Sequence, residues 1–121
     1  MIKPTRKVNN SWKASVITLF PDVFPGVLGA SIIGNAKKSD IWQLETVDIR
    51  DFSVNRHRTV DSPPSGGGPG MVLKPDVAAK AIDSVAMSND RPIIYLTPRG
   101  RPLTQKKVRE LANGKGVIIL C

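Results

Sequence analysis

Cysteine, histidine and long apolar runs are scarce in this 121-residue sequence, and each scarcity excludes a class of protein. The one cysteine, Cys121, excludes disulfide scaffolds, CxxC redox sites and cysteine-rich zinc sites. One histidine, His57, and scattered carboxylates give no recognised metal-ligand spacing. No apolar run approaches the length of about 18 residues that a membrane span needs, and the basic N-terminus lacks the apolar stretch of a secretory signal. We therefore expect a cytoplasmic protein without a metal site.

Acidic residues are also few, with 10 Asp and Glu against 18 Lys and Arg, and the net charge is +8. Such a balance favours polyanionic partners, although a lysine-rich face that only keeps the protein soluble is the alternative. The charge is concentrated in two zones. The first contains Lys3, Arg6, Lys7 and Lys13, and the second contains Arg99, Arg101, Lys106, Lys107, Arg109 and Lys115.

The length and the apolar pattern predict a single α/β domain. Short apolar runs predict strands over residues 14–20, 41–49, 71–73, 92–96 and 116–121, and helical spacing predicts helices over 22–38, 75–87 and 104–112. Residues 50–70 lack either period and predict a long irregular loop. The alternation favours a largely parallel sheet with helices on both faces, and the mixed polarity of residues 41–49 favours an edge strand. In such sheets ligands bind beyond the carboxyl ends of the strands.

The densest candidate for function is the segment of residues 48–71, DIRDFSVNRHRTVDSPPSGGGPGM. Arg56 and Arg58 place two guanidinium groups around His57, and such groups suit bidentate contacts with phosphate or guanine. The glycine run lets backbone N–H groups approach a phosphate or a base, but no Walker A or GxGxxG pattern is present. A mobile connector with a surface histidine is the alternative for this segment.

Three aspartates and a strand end are further candidates. Asp48, Asp51 and Asp61 suit either general bases or ion pairs with the neighbouring arginines. The run YLTPRGR of residues 95–101 follows a predicted strand, so it lies at the carboxyl edge. Tyr95 there suits stacking on adenine and Thr97 suits a hydrogen bond, whereas an ordinary strand-to-helix turn is the alternative.

Several stretches together resemble one known family. They are ITLFPDVFPGVLG (17–29), the segment of residues 48–71, PDVAAKAID (75–83), YLTPRGR and GVIILC. In this order, from about residue 14 to residue 121, they resemble the bacterial tRNA (guanine-37-N1)-methyltransferases of the SPOUT superfamily. The glycine run, preceded by the basic-His-basic and Thr-Val-Asp sequences, is highly specific to that family.

The resemblance implies a fold, a reaction and partners. The fold is the N-terminal half of a SPOUT methyltransferase domain over residues 14–121, with the trefoil knot incomplete. The reaction is transfer of a methyl group from S-adenosylmethionine to N1 of guanine 37 in a tRNA, and the partners are the anticodon loop and a second copy in a homodimer. The implied cofactor wall is Tyr95, Leu96, Thr97 and Pro98. The implied guanine and anticodon-loop region is Asp51, Arg56, His57, Arg58, Asp61, Gly66, Gly67, Gly68 and Gly70.

Family members are about twice as long as this sequence. Their general base, an essential arginine and most cofactor contacts lie in the other half. We therefore expect no catalytic residue in this chain and no activity from it alone, and a non-catalytic RNA-binding fragment is the alternative function. Ser62 and Ser65 replace an acid and a tyrosine that are usual in the family, and residues 1–13 are expected to form a disordered basic leader.

Overall fold

A computed structural model of the protein describes residues 11–53, 61–62, 72–86 and 90–121. Within these residues the chain forms six strands and three α-helices. The strands are β1 (Trp12–Thr18), β2 (Trp42–Asp48), β3 (Asp61–Ser62), β4 (Val72–Leu73), β5 (Ile93–Tyr95) and β6 (Gly116–Leu120). The helices are α1 (Ser31–Lys38), α2 (Pro75–Val85) and α3 (Gln105–Ala112).

Four of the strands form a parallel sheet in the order β2-β1-β6-β5. Val16 in β1 stands opposite Thr46 in β2 and Ile119 in β6. The β-branched residues of β1 and β6 suit strands that are covered on both faces. The predicted α/β fold with a parallel sheet is thus confirmed, and β2 lies at an edge of the described sheet, as its mixed polarity indicated.

The hydrophobic core lies between the sheet and α2. Ile17 of β1 and Ile118 of β6 are fully buried in one cluster with Val77 and Ala81 of α2. Burial of an aliphatic side chain of this size contributes about 1.5–3 kcal/mol, so this layer supplies much of the stability. Pro75 opens α2, where its fixed φ suits the first helical turn and its missing N–H costs nothing.

Two tryptophans hold α3 and α1 on the opposite face of the sheet. Trp12 and Trp42 are paired in register, and side chains five positions apart on a strand face opposite ways, so Trp12 lies on the face away from Ile17. The indole Nε1 of Trp12 donates to the Leu111 carbonyl at the end of α3, at 2.9 Å. The indole Nε1 of Trp42 donates to a carbonyl of α1, also at 2.9 Å. Helices therefore cover both faces, as predicted.

The single helix predicted over residues 22–38 is wrong. The chain forms 3-10 helices at Pro21–Val23 and Gly26–Gly29, and α1 begins only at Ser31. Pro25 has no N–H to donate, and both Gly26 and Ser31 have positive φ values, +51° and +57°. A continuous α-helix is impossible through such backbone angles.

The predicted strands are confirmed with shifted ends. β1 begins at Trp12 and ends at Thr18, so Trp12 and Lys13 belong to the sheet although the sequence pattern placed them in the leader. Trp12 and Lys13 pair with Trp42 and Gln43 of β2. The Lys13 side chain also forms an ion pair with Glu45 of β2 at 2.5 Å. Residues 1–10 of the expected leader lie outside the described residues.

The predicted irregular loop over residues 50–70 is wrong in part. Ile49–Phe52 forms a 3-10 helix directly after β2, and β3 pairs with β4 in antiparallel register. Ile49 is fully buried in the core cluster, which anchors this 3-10 helix under α2. Residues 54–60 and 63–70 of the loop lie outside the described residues, as does Met71 of the strand predicted after it.

Gly116 lies where the backbone of β1 leaves no space for a side chain. Its φ is +144°, and a Cβ there would collide with the backbone carbonyl of Lys13 in β1. Gly116→Ala is therefore expected to lower the free energy of unfolding by about 2–4 kcal/mol, through strain and loss of pairing. Gly114→Ala, where an added Cβ meets nothing closer than 3.5 Å, is the matched control. Urea denaturation measures both, and equal midpoints for the two variants would contradict this account of β6.

Candidate functional site at the carboxyl edge of the sheet

The carboxyl ends of all four parallel strands meet at one edge of the sheet. The backbone there is joined across strands, because the Leu96 N–H donates to the Leu120 carbonyl at 3.2 Å and the Cys121 N–H donates to the Ile17 carbonyl at 3.0 Å. Open parallel sheets bind ligands beyond this edge. Predicted site residues that follow these strands are therefore expected at this edge.

The predicted cofactor wall, Tyr95 to Pro98, lies at the end of β5 with exposed apolar side chains. Tyr95 is 60% exposed and Leu96 is 59% exposed, although Leu96 is fixed through its backbone to β6. Large apolar side chains that are held in place yet left open to solvent suit a flat apolar ligand such as a purine. The structure thus keeps these four residues together in one short wall.

Thr97 closes the turn that follows the wall. Its carbonyl accepts a hydrogen bond from the Gly100 N–H at 3.1 Å, and its hydroxyl oxygen accepts one from the Arg99 N–H at 3.3 Å. A hydroxyl that accepts in this way still has its own proton to donate. Thr97 can therefore close an ordinary turn and still donate a hydrogen bond to a ligand.

Asp51 is the part of the predicted guanine region that the structure describes with its side chain, and it is exposed on the 3-10 helix after β2. Asp48 caps that helix, since its Oδ1 accepts from the Arg50 N–H at 2.9 Å. The Arg50 guanidinium donates to the Leu19 carbonyl just beyond β1. Asp48 and Arg50 thus hold the 3-10 helix that carries Asp51. The sequence suggested a general base or an ion pair for Asp48 and did not indicate this capping role.

The other residues of the guanine region are described in part or not at all. Asp61 is described by its backbone, which pairs with Leu73, and Ser62 pairs with Val72. Residues 62 and 72 flank the glycine run, so this pairing brings those two backbone positions together. Arg56, His57, Arg58, Gly66, Gly67, Gly68 and Gly70 lie outside the described residues.

The cofactor wall and Asp51 stand at opposite sides of the carboxyl edge. The wall follows β5 and Asp51 follows β2, which are the two outer strands of the four. Three strand spacings separate them, or about 14 Å. Within the described part of one chain, the predicted cofactor wall therefore does not contact Asp51.

An apolar groove on the α1 and α3 face was missed by the sequence analysis. It has a volume of about 820 Å³ and is lined almost wholly by apolar atoms, among them Trp12, Val16, Ile32, Leu96 and Cys121. Ile32 is 85% exposed at its rim. Its residues are scattered from position 12 to position 121, so no local sequence pattern could reveal the groove.

No group of three or more His, Cys, Asp or Glu side chains in the part of the chain that the structure describes is placed to hold a metal ion. No helix among the same residues is long and apolar enough to cross a membrane.

Comparison with known proteins gives one consistent result. The family model described as "tRNA (Guanine-1)-methyltransferase TrmD" matches residues 12–121. A curated tRNA (guanine-N(1)-)-methyltransferase of Rhizobium johnstonii is 59% identical over 111 residues, which are 92% of this chain and 46% of the relative. Relatives of the same name from Rhodopseudomonas palustris (57% identical, 92% of this chain, 45% of the relative) and Brucella ovis (56%, 95% and 47%) match similarly. The chain spans about half the length of the curated relatives it matches.

The Arg50 contact generates a prediction about the 3-10 helix that carries Asp51. Arg50→Met is expected to lower the free energy of unfolding by about 1.5–3 kcal/mol, because the partly buried Leu19 carbonyl loses a charged donor. Arg99→Met, at an exposed arginine, is the control and is expected to change it by about 0.5 kcal/mol or less. Urea denaturation followed by tryptophan fluorescence measures both. The anchoring role is wrong if the two variants unfold at the same midpoint.

Proposed function

This chain belongs to the tRNA (guanine-1)-methyltransferase family, whose model matches residues 12–121, and on that premise we propose that it forms part of an enzyme that methylates N1 of guanine 37 in tRNA. The methyl donor is S-adenosylmethionine, and the reaction takes place in the cytoplasm. The match over almost the whole chain carries the proposal, and the exposed wall at the carboxyl edge supports it.

Tyr95, Leu96, Thr97 and Pro98 form one wall of the cofactor site. Their fit to the cofactor is chemical, since exposed apolar side chains suit adenine and the Thr97 hydroxyl suits a polar edge of the same ligand. S-adenosylmethionine, when bound, supplies an electrophilic methyl group on a sulfonium. The backbone bond from Leu96 to Leu120 keeps the wall in place without any ligand, so binding does not have to order it.

The guanine and the anticodon loop bind to the region that begins at the 3-10 helix after β2. Its arginines suit guanine edges and phosphates, and its glycines let the backbone approach a base that has left the stack. The guanine N1 proton has to leave as the methyl group arrives, and a positioned carboxylate in the other half of family members suits that step. We therefore assign binding and no catalytic role to this region, which consists of Asp51, Arg56, His57, Arg58, Asp61, Gly66, Gly67, Gly68 and Gly70.

Two copies of the protein form the complete site. Methyl transfer needs donor and acceptor atoms about 3–3.5 Å apart, whereas the wall and Asp51 leave the sheet from opposite outer strands. A second copy related by twofold symmetry supplies its guanine region to the wall of the first copy. The apolar groove, with Ile32 85% exposed at its rim, is a surface that such a copy would cover.

A chimera tests the activity directly. Residues 12–121 of this chain replace the matching part of the Rhizobium johnstonii relative, and methylation is measured on a tRNA transcript with guanine at position 37. The chimera is expected to form N1-methylguanine, and Leu96→Asp is expected to raise the KM for S-adenosylmethionine at least about tenfold because a charge enters the adenine wall. Ile41→Asp is the matched control, since Ile41 is 67% exposed and directly precedes β2, the outer strand on the other side of the sheet from β5.

Two results would contradict this proposal. A folded chimera that leaves the guanine transcript unmethylated would show that residues 12–121 do not support the proposed activity. Equal effects of Leu96→Asp and Ile41→Asp on the KM for S-adenosylmethionine would show that Leu96 is not part of a cofactor wall. A transcript with adenosine at position 37 shows whether any methylation that is measured belongs to the intended base.

Mixing two impaired chimeras tests the shared site, with S-adenosylmethionine kept well below the KM of the Leu96→Asp chimera. One carries Leu96→Asp in the wall, and the other carries Arg56→Ala with Arg58→Ala in the guanine region. If each site combines the wall of one copy with the guanine region of the other, a mixed dimer has one intact site, and random mixing restores about one quarter of the original activity. Activity that stays at the level of the separate variants would show that each chain builds its own site.

A further inference from the structure

We propose that α3 and the turn before it bind the sugar-phosphate backbone of a tRNA stem, outside the guanine site. This inference rests on the proposed function and adds a second contact surface for the same partner. The surface, called the α3 strip, consists of Arg99, Arg101, Lys106 and Arg109.

The charges of the α3 strip are exposed and are not neutralised by carboxylates in the described part of the chain. Residues 98–110 are all exposed. Lys107 and Lys115, by contrast, form ion pairs with Glu110 at 3.6 Å and with Asp90 at 3.4 Å. Four cations thus remain for an external anion, and a chain of phosphates is the anion that matches several cations in a row.

The backbone places two of these cations on one face of α3 and the other two in the turn before it. Lys106 and Arg109 are three residues apart on α3 and so share one face of the helix. The Thr104 hydroxyl accepts from the Lys107 N–H at 3.2 Å, which fixes the start of α3, and the Trp12 indole holds its end through Leu111. α3 itself is about 12 Å long, and Arg99 and Arg101 lie between the end of β5 and the start of α3.

The composition of the α3 strip favours phosphates over bases. Residues 97–115 contain no aromatic side chain, so the surface has no platform on which unpaired bases could stack. Arginine and lysine bind phosphate oxygens, and paired RNA is recognised mainly through its backbone and shape. The α3 strip starts at the turn of Thr97, beside the cofactor wall. A stem on this strip would therefore continue directly from a loop that is held at the carboxyl edge.

Salt-dependent binding of the 121-residue chain tests the inference. Filter binding is measured with a tRNA anticodon stem-loop between about 50 and 200 mM salt. The double variant Lys106→Gln with Arg109→Gln is expected to lower the slope of log affinity against log salt by about 1.5–2 and to weaken binding about tenfold. Lys38→Gln with Lys80→Gln removes the same charge from exposed positions on α1 and α2 and is expected to change neither quantity appreciably. Lys106→Arg with Arg109→Lys keeps the charge and is expected to keep the affinity.

Several outcomes would overturn the inference. Equal losses for the α3 pair and the control pair would mean that net charge alone matters, and equal losses on an unpaired oligonucleotide of the loop sequence would mean that no stem is bound. Circular dichroism melts that match the parent exclude unfolding as the cause. A chimera that does not methylate, together with a changed slope for the α3 pair, would reject the proposed function and leave an RNA-binding surface. A methylating chimera with an unchanged slope would reject the α3 strip alone.

Discussion

Parallel pairing of β1 on both of its sides is the constraint on which the rest of this structure depends. Because β2, β6 and β5 run in the same direction as β1, the proposed cofactor wall and the 3-10 helix that carries Asp51 both leave the sheet at its carboxyl edge. Arg91 secures the opposite edge. Its guanidinium donates to the hydroxyl of the fully buried Ser15 at 2.8 Å and to the Val85 carbonyl at the end of α2 at 3.0 Å. A charged donor thus joins β1 to α2 on one side, whereas side chains at the carboxyl edge, such as Tyr95 and Leu96, remain exposed.

The sequence predicted the parts of the fold that depend on local pattern. The apolar β-branched runs of β1 and β6 and the Thr104 cap of α3 were found because each is encoded within a few neighbouring residues. The first helix was predicted too long, because the positive φ values at Gly26 and Ser31 interrupt the backbone before α1 and the spacing of apolar residues does not record them. Contacts between distant residues, such as the one that joins Arg50 to Leu19, have no local sequence signal at all. The wall residues are a prediction from a resemblance and from their position after a strand, whereas the groove is visible only in the folded chain.

The structure also shows why a count of basic residues overstates the surface available to RNA. Lys13, Lys107 and Lys115 lie in the two basic zones of the sequence, yet each forms an ion pair with a carboxylate. Arg50 and Arg91 use their guanidinium groups on backbone carbonyls inside the fold. Composition measures charge, while the distances decide which charges face outward. A nucleic-acid footprint therefore has to be derived from the exposed cations that have no carboxylate nearby.

The face that carries α1 and α3 presents two surfaces that suit different partners. Phosphates would lose their hydration in the apolar groove without gaining donors there, so RNA is excluded from it and a protein surface is favoured. Leu96 belongs both to the rim of this groove and to the proposed cofactor wall. A protein surface that covers the groove would consequently also narrow the opening above the wall. Effective small-molecule sites enclose about 70–90% of their ligand, which a single open wall does not do. In the proposed dimer, assembly and cofactor binding would thereby be coupled at Leu96, because the contact that buries the apolar groove would also remove water from the proposed site of methyl transfer.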